Sequence, residues 1–366
     1  MKKWIPKTVL ACMVLTVGLG SCKKIFNVPD EKDYLSPRLT YTNKTYAPIL
    51  GRTTLLSNIF NADNSSFPLK FEIINARLGD GTPVTDLFQV QKTWVWTAAY
   101  DGTEKSVAEI DAKRKQEDHP LFEVRPSGEF IMWASATSNL IKPRDRNDSD
   151  NETRFFDVRV SNGGGEMVIP NLRVQPFLER PYEPHDDRDE FTGLPAKEAD
   201  SVNRRYIYPA YINNMYGENS NLPLRLTLNR NDGLIPDIRV YFHRKGDGRS
   251  LTFKFMNTDS VEIDPARFNR TRWDEMLHGF NRISTSTGVK YDVAYPIPVV
   301  RTPTKYTNGG LNGDGSQAHV EFAYDRLGAG GLRLIANMGL NFNIFQEGDW
   351  EIVFHFIREN PKFEDD

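Results

Sequence analysis

Cysteine is almost absent from this chain of 366 residues, which holds only Cys12 and Cys22. Both lie near the start, so disulfide frameworks, thiolate catalysis, iron–sulfur clusters and cysteine-based zinc sites are excluded for everything that follows. Histidine is scarce too. The six (His119, His185, His243, His278, His319 and His355) form no HExxH and no other pairing suited to one helix or strand face. A basic stripe with interleaved aromatics is missing, and 46 basic against 49 acidic residues argue against a nucleic-acid partner. No later segment is apolar for the roughly 20 residues that a membrane-spanning helix needs. The glycine strings Gly163–Gly165 and Gly328–Gly331 lack phosphate-loop spacing, and no GxSxG elbow occurs. Neither a cofactor nor a metal is implied.

What is present begins with an export signal. Lys2, Lys3 and Lys7 precede a short apolar run, Thr8 to Leu19, and small residues then lead to Cys22. Leu19-Gly20-Ser21-Cys22 resembles a bacterial lipobox, in which the thiol is acylated and becomes the new N-terminus. The expectation is therefore a signal over 1–21 and a membrane partnership through lipid on Cys22. Several acyl chains, each buried CH₂ contributing ~0.8 kcal/mol, make such an anchor stable. Without residues 1–21 the charge is near −6, since only three lysines are lost.

Residues 22–37 read as a polar, proline-broken tether. From 38 to 180, short strands alternate with turns. Leu69, Phe71 and Ile73 form one half-buried face, and the pairs 121–124/130–133 and 155–160/167–174 flank turn sequences. Ser106 and Glu109 form a capping box for one short helix, with Val107 and Ile110 inward. Residues 181–204 are rich in proline and charge and read as a linker or long loop. From 205 to 366, alternation runs through Leu222–Leu228, Leu251–Phe255, Leu332–Ile344 and Trp350–Phe356, and Asp264-Pro265 opens a helical stretch carrying Met276, Leu277 and Phe280. The fold class expected is mainly β: two β-sandwich domains, immunoglobulin-like then jelly-roll-like, with one or two short helices.

No catalytic constellation stands out. Asp292, Glu321, Asp349 and Glu351 are carboxylates that glycoside cleavage could use, but spacing selects no pair among them. Two acidic loops, Asp145–Glu152 and Asp186–Glu190, lack calcium-loop geometry and read as solvated charge. Aromatic residues are the better lead, because an indole or phenol face stacks on the apolar C–H face of a sugar ring. Trp94 and Trp96, with Tyr100 beyond, read as core or interface. Tyr206, Tyr208, Tyr211 and Tyr216, in a polar stretch, and Tyr306, in a Gly/Asn-rich loop, are the candidate ligand-binding residues.

The strings GRTTLL (51–56), FNADNSS (60–66), GDGTPVTDLFQV (79–90), PLFEVR (120–125), WASAT (133–137), ERPYEP (179–184), YDVAYPIP (291–298) and GDWEIVFHFIRENPKFED (348–365) carry a resemblance over nearly the whole chain after Cys22. They resemble an uncharacterised family of Bacteroidetes lipoproteins, domain of unknown function 5007. That resemblance brings no catalytic residues. It implies an outer-membrane setting beside a starch-utilisation-type transporter and its helical lipoprotein partner; polysaccharide, as a further partner, is an expectation from the aromatic residues. Lys23 and Lys24 stand where surface-exported lipoproteins of this group carry acids, so cell surface and periplasmic face both stay open. The function expected is a non-catalytic accessory protein of glycan or nutrient capture. The rivals are a glycoside hydrolase or lyase with carboxylates on separate strands, and a pilus-type structural or adhesive lipoprotein.

Overall fold

The computed structural model describes residues 33–147, 152–196, 206–226 and 236–366. The signal, Cys22 and most of the expected tether lie outside them. The last tether residues belong to the fold: the Ser36 amide donates to Ser65 Oγ at 2.9 Å and its hydroxyl to Asp63 at 2.6 Å, while Leu35 packs on the first core.

The chain is mainly β, its strands gathered into several small sheets in a sandwich-like arrangement. In the first half, Thr45–Tyr46, Gly165–Val174, Arg154–Asn162 and Lys70–Arg77 form a four-stranded sheet. A three-stranded sheet of Thr54–Leu56, Phe130–Met132 and Phe122–Val124 accompanies it. Both hairpins expected from turn sequences pair as anticipated. Phe122, Phe130 and Phe156 meet at ring distances of 5.3–5.5 Å in the buried cluster between these sheets.

The second half buries a separate cluster between two larger sheets. One has five strands in the order Ile238–Gly246, Asp349–Phe356, Ser250–Met256, Gly288–Val293 and Gly279–Thr285. The other is the long hairpin Ala318–Leu327/Arg333–Ile344, flanked by Tyr182–Glu183 and Tyr211–Asn213. Alternation works here as expected, because each strand has one face against the core. Leu251, Phe253, Phe255, Ile352, Phe354 and Phe356 from one sheet meet Phe322, Met338, Leu340 and Phe342 from the other. Phe322 lies 4.9–5.3 Å from Phe253, Phe255 and Phe354, which seals the two faces together.

A small third cluster (Ile110, Ala294 and Val299, with Tyr100, Val107 and Phe280 against it) joins the halves. The helix Val107–Asp111 supplies part of it. Ser106 Oγ accepts from the Glu109 amide at 3.1 Å, which is half of the expected capping box; the Glu109 carboxylate accepts from the Lys105 amide, one residue before the cap, rather than from that of Ser106.

Three expectations need correction. Residues 222–226 form no strand: Pro223 makes a lone bridge to Tyr216, Leu222 is 60 % exposed and only Leu224 is buried. Residue 228 lies outside the described residues. A proline without an N–H, beside a chain with one bridging partner, cannot propagate a ladder. The stretch after Asp264 is a single 3-10 turn, Pro265–Arg267, with Asp264 capping the Ala266 amide at 2.8 Å; Met276 and Leu277 reach the core from a loop, and Phe280 lies in the strand Gly279–Thr285. Within the expected linker, Tyr182–Glu183 pairs with Asn343–Ile344, so its first part is sheet.

Candidate functional site

The five candidate tyrosines do not converge. Tyr206 lies beneath Arg239, whose guanidinium is 3.7 Å from its ring centre, and Tyr208 is exposed. Arg326 covers Tyr216 at 5.4 Å. Tyr306 stacks on His278 at 4.8 Å and 5°, beside an apolar cavity of about 20 Å³ that is large enough for a water and little more. The chain between Tyr206 and Tyr211 crosses from the five-stranded sheet, where Ile207 bridges Val240, to the long hairpin, where Tyr211 pairs with Gly339. That crossing separates the phenols.

Tyr211 alone enters a constellation. The long hairpin buries Ala336, Met338, Leu340 and Phe342, so residues 337, 339 and 341 face the opposite side. Register then sets Asn213, Asn337 and Ala323 in one row, Tyr211, Gly339 and Glu321 in the next, and Asn341 and His319 in a third. Gly339 is what lets the middle row close, since a Cβ there would collide with the Tyr211 ring. The Tyr211 hydroxyl donates to Glu321 Oε2 at 2.6 Å, and Asn337 Nδ2 donates to the same oxygen at 3.3 Å. Asn213 donates to Asn337 Oδ1 at 2.9 Å. His319 Nδ1 donates to Asn341 Oδ1 at 2.8 Å, so in the neutral ring Nε2 is an acceptor, 3.3 Å from the Tyr211 oxygen. Burial, then the Glu321 carboxylate, pushes the Tyr211 phenol above its ordinary value of 10. It is a firm donor and a poor nucleophile.

The outward face is therefore a row of amides, one imidazole, one carboxylate and one phenol, already oriented by one another. Planar amides present a donor and an acceptor side by side, which suits neighbouring hydroxyl groups on a ligand. This face was not anticipated beyond Tyr211. A signal existed: Asn and Gly are depleted in strands, yet residues 337, 339, 341 and 343 on alternate positions are Asn, Gly, Asn and Asn.

Other candidates are absorbed by the fold. Glu321 stands on a different sheet from Asp292, Asp349 and Glu351. Asp349 accepts from Ser250 Oγ and the Gly248 amide, Asp292 from Asn281, and Glu351 pairs with Lys254 and Lys245. In the second acidic loop, Asp187 accepts from Tyr182, while Asp189 pairs with Arg146 and accepts from the amides of Phe191 and Thr192. That loop borders an open cleft of about 1020 Å³, where Arg180–Glu190 and Arg52–Glu183 also pair internally. The first loop is described only at its two ends, and Asp148 and Asp150 lie outside. Among the described residues, no group of His, Cys, Asp or Glu could hold a metal ion.

Of the two placements expected for Trp94 and Trp96, core or interface, the core is the one that the structure removes. They are 44 % and 36 % exposed, on the outward face of a two-stranded ribbon, Val90–Trp96 with Arg114–Pro120.

The class these observations define is a mainly β, sandwich-like protein with a hydrogen-bonding sheet face. The chain belongs to the family described as Domain of unknown function (DUF5007), whose profile matches residues 60–365. No curated protein and no solved structure matches it.

Proposed function

We propose that this chain is a non-catalytic accessory protein of the cell envelope, anchored to the outer membrane by lipid on Cys22, and that it captures glycan beside an outer-membrane transporter. The observation that carries the reading is the outward face of the long hairpin, where Tyr211, Asn213, Asn337, Asn341, His319 and Glu321 offer preoriented donors and acceptors. Sugars are recognised by such planar groups, and a phenol held protonated at neutral pH adds a donor rather than a nucleophile. The expected domain division, 38–180 and 205–366, is in keeping with two separate buried clusters.

Affinity electrophoresis of the full chain in detergent against a polysaccharide panel tests this, with the products checked by chromatography. Retardation without cleavage is expected, and the N337A/N341A pair should weaken it by about 1–3 kcal/mol through lost hydrogen bonds. Cleaved products would install the hydrolase or lyase instead, and filaments in micrographs the pilus subunit.

A further inference from the structure

The ribbon offers a second surface that the sheet face does not use. Register places Lys92 opposite Asp118, Trp94 opposite Gln116 and Trp96 opposite Arg114, and period 2 sets all six on one face. Thr93 is buried on the other face and Arg114 at the base of this one, while the two indoles stay 44 % and 36 % exposed.

Their inner faces are backed by a fixed cation. The Arg114 guanidinium lies 4.7 Å from the Trp94 ring centre and 5.9 Å from that of Trp96. Its own side chain is 4 % exposed, held by Asp111 at 2.6 and 3.1 Å and by the Tyr295 carbonyl at 2.7 Å. Trp96 also leans on Tyr100 at 6.1 Å, and the Tyr100 hydroxyl donates to His278 Nδ1 at 2.5 Å. The rings are thus held before any ligand arrives, which lowers the ordering cost of binding.

We infer that Trp94 and Trp96 form a second saccharide-binding ledge, stacking neighbouring rings of an extended, electrically neutral polysaccharide. This rests on the glycan reading above. Same-face neighbours on a strand stand about 6.6 Å apart, so the two indoles act as successive platforms. Gln116 and the Lys92–Asp118 pair, 3.1 Å apart, flank them within reach of ring hydroxyls. The ledge carries no net charge, since Arg114 and Arg249 are answered by Asp111 and Glu347 and Lys92 by Asp118, which argues against acidic chains. A protein partner fits poorly. Two indoles bury about 300–500 Å² even when fully covered, below the roughly 800 Å² per side of a stable interface.

The test uses the full chain in detergent with amylopectin, xyloglucan and galactomannan as probes. For whichever probe retards the wild type, W94A/W96A should weaken binding at least 10-fold, within the 5- to 150-fold range of aromatic stacking, with an unchanged melting temperature. W94F/W96F should retain most of the binding but lose the blue shift of tryptophan emission that the wild type shows on saturation. If the alanine pair unfolds, the phenylalanine pair and that shift decide the matter. Undiminished retardation of W94A/W96A, or wild-type binding without any emission change, overturns the ledge and leaves the sheet face standing. A wild-type dimer in light scattering that W94A/W96A abolishes would overturn it in favour of self-association. If no probe retards even the wild type, the glycan reading itself fails and the ledge with it.

Discussion

Asp111 is the point at which the two halves and the ledge are tied together, and D111A should show it. Its carboxylate receives Arg114 from the ribbon at 2.6 and 3.1 Å and Arg249 from the second half at 2.6 and 3.2 Å. Truncation leaves the Arg114 side chain, 4 % exposed, with the Tyr295 carbonyl as its remaining partner. Breaking a buried pair from one side costs about 3–5 kcal/mol. The Arg249 arm is over a quarter exposed and adds less, ~0.5–1 kcal/mol. The low end, about 3 kcal/mol, is the figure to expect, because Asp111 itself is 28 % exposed. At roughly 2–4 °C per kcal/mol for a cooperative unit of 150–250 residues, the melting temperature should fall by about 6–12 °C. Urea is the denaturant of choice, since guanidinium would screen the pairs being measured. Adding R114M to D111A should restore most of the loss, because an apolar side chain of similar length removes the buried unpaired charge, and the partly exposed Arg249 keeps Glu347 at 3.8 Å. A fall below 2 °C for D111A, or no recovery with R114M, would show that water already reaches the guanidinium. Acid offers a second check. Burial works to raise the Asp111 pKa, but hydrogen bonds from Arg249 and Arg114 outweigh it and hold the carboxyl below 3.8. A carboxyl depressed on folding stabilises fully above its unfolded value, so this contribution persists above pH 3.8 and fades as pH drops through the lower folded value.

The other expectations are brief. Trp350 is 2 % exposed, edge-on to Tyr182 at 5.8 Å with its N–H donated to the Gln346 carbonyl, so W350A should cost about 3–5 kcal/mol by urea midpoint and leave polysaccharide retardation of the surviving folded protein unchanged; a normal midpoint with lost ligand would reverse the assignment. Burial, then Arg180, Arg188 and Arg52, pushes His185 from 6.5 to about 4, so between pH 6.5 and 4 the unfolded chain takes up a proton that the folded one refuses and stability falls. The wild type should lose on the order of 1–2 kcal/mol more than H185Q over that window, discounted for partial exposure, and equal slopes would refute the neutral burial of this ring. C22A should lose its lipid label and leave the membrane fraction; full partition of the variant into detergent would refute the anchor.

Much of the architecture was legible because burial acts on alternate residues. Phe253, Phe255, Phe354 and Phe356 declare one face of two strands, and the same pattern in 334–344 declares the facing sheet. Where alternation lacked a partner strand it misled, as at Leu222, which projects into solvent. Trp94 and Trp96 lie outside the core for a different reason. That apolar residues lie inside is a one-way rule, and a ribbon seated on one face must show the other. The helix after Asp264 was over-extended, since a cap and a proline specify where a turn starts but not that it continues past Arg267.

The sheet-face site was illegible as a motif because its members are distant in sequence and neighbours only through strand pairing. The Tyr211 hydroxyl donates to Glu321 across 110 residues, and no spacing rule spans the register that unites them. What a single strand can carry is the composition of its outward positions. Polar residues with poor strand propensity persist there only at some cost to stability. Asn337 and Asn341 take that cost at half-buried positions, Gly339 opens the room that Tyr211 fills, and Asn343 is buried and donates to the Ser316 carbonyl at 2.8 Å. A strand that accepts this on its exposed side while keeping Met338, Leu340 and Phe342 fully buried on the other has two separable tasks. The inner positions hold the sandwich shut. The outer ones carry the hydrogen-bonded row on which the proposed glycan site rests.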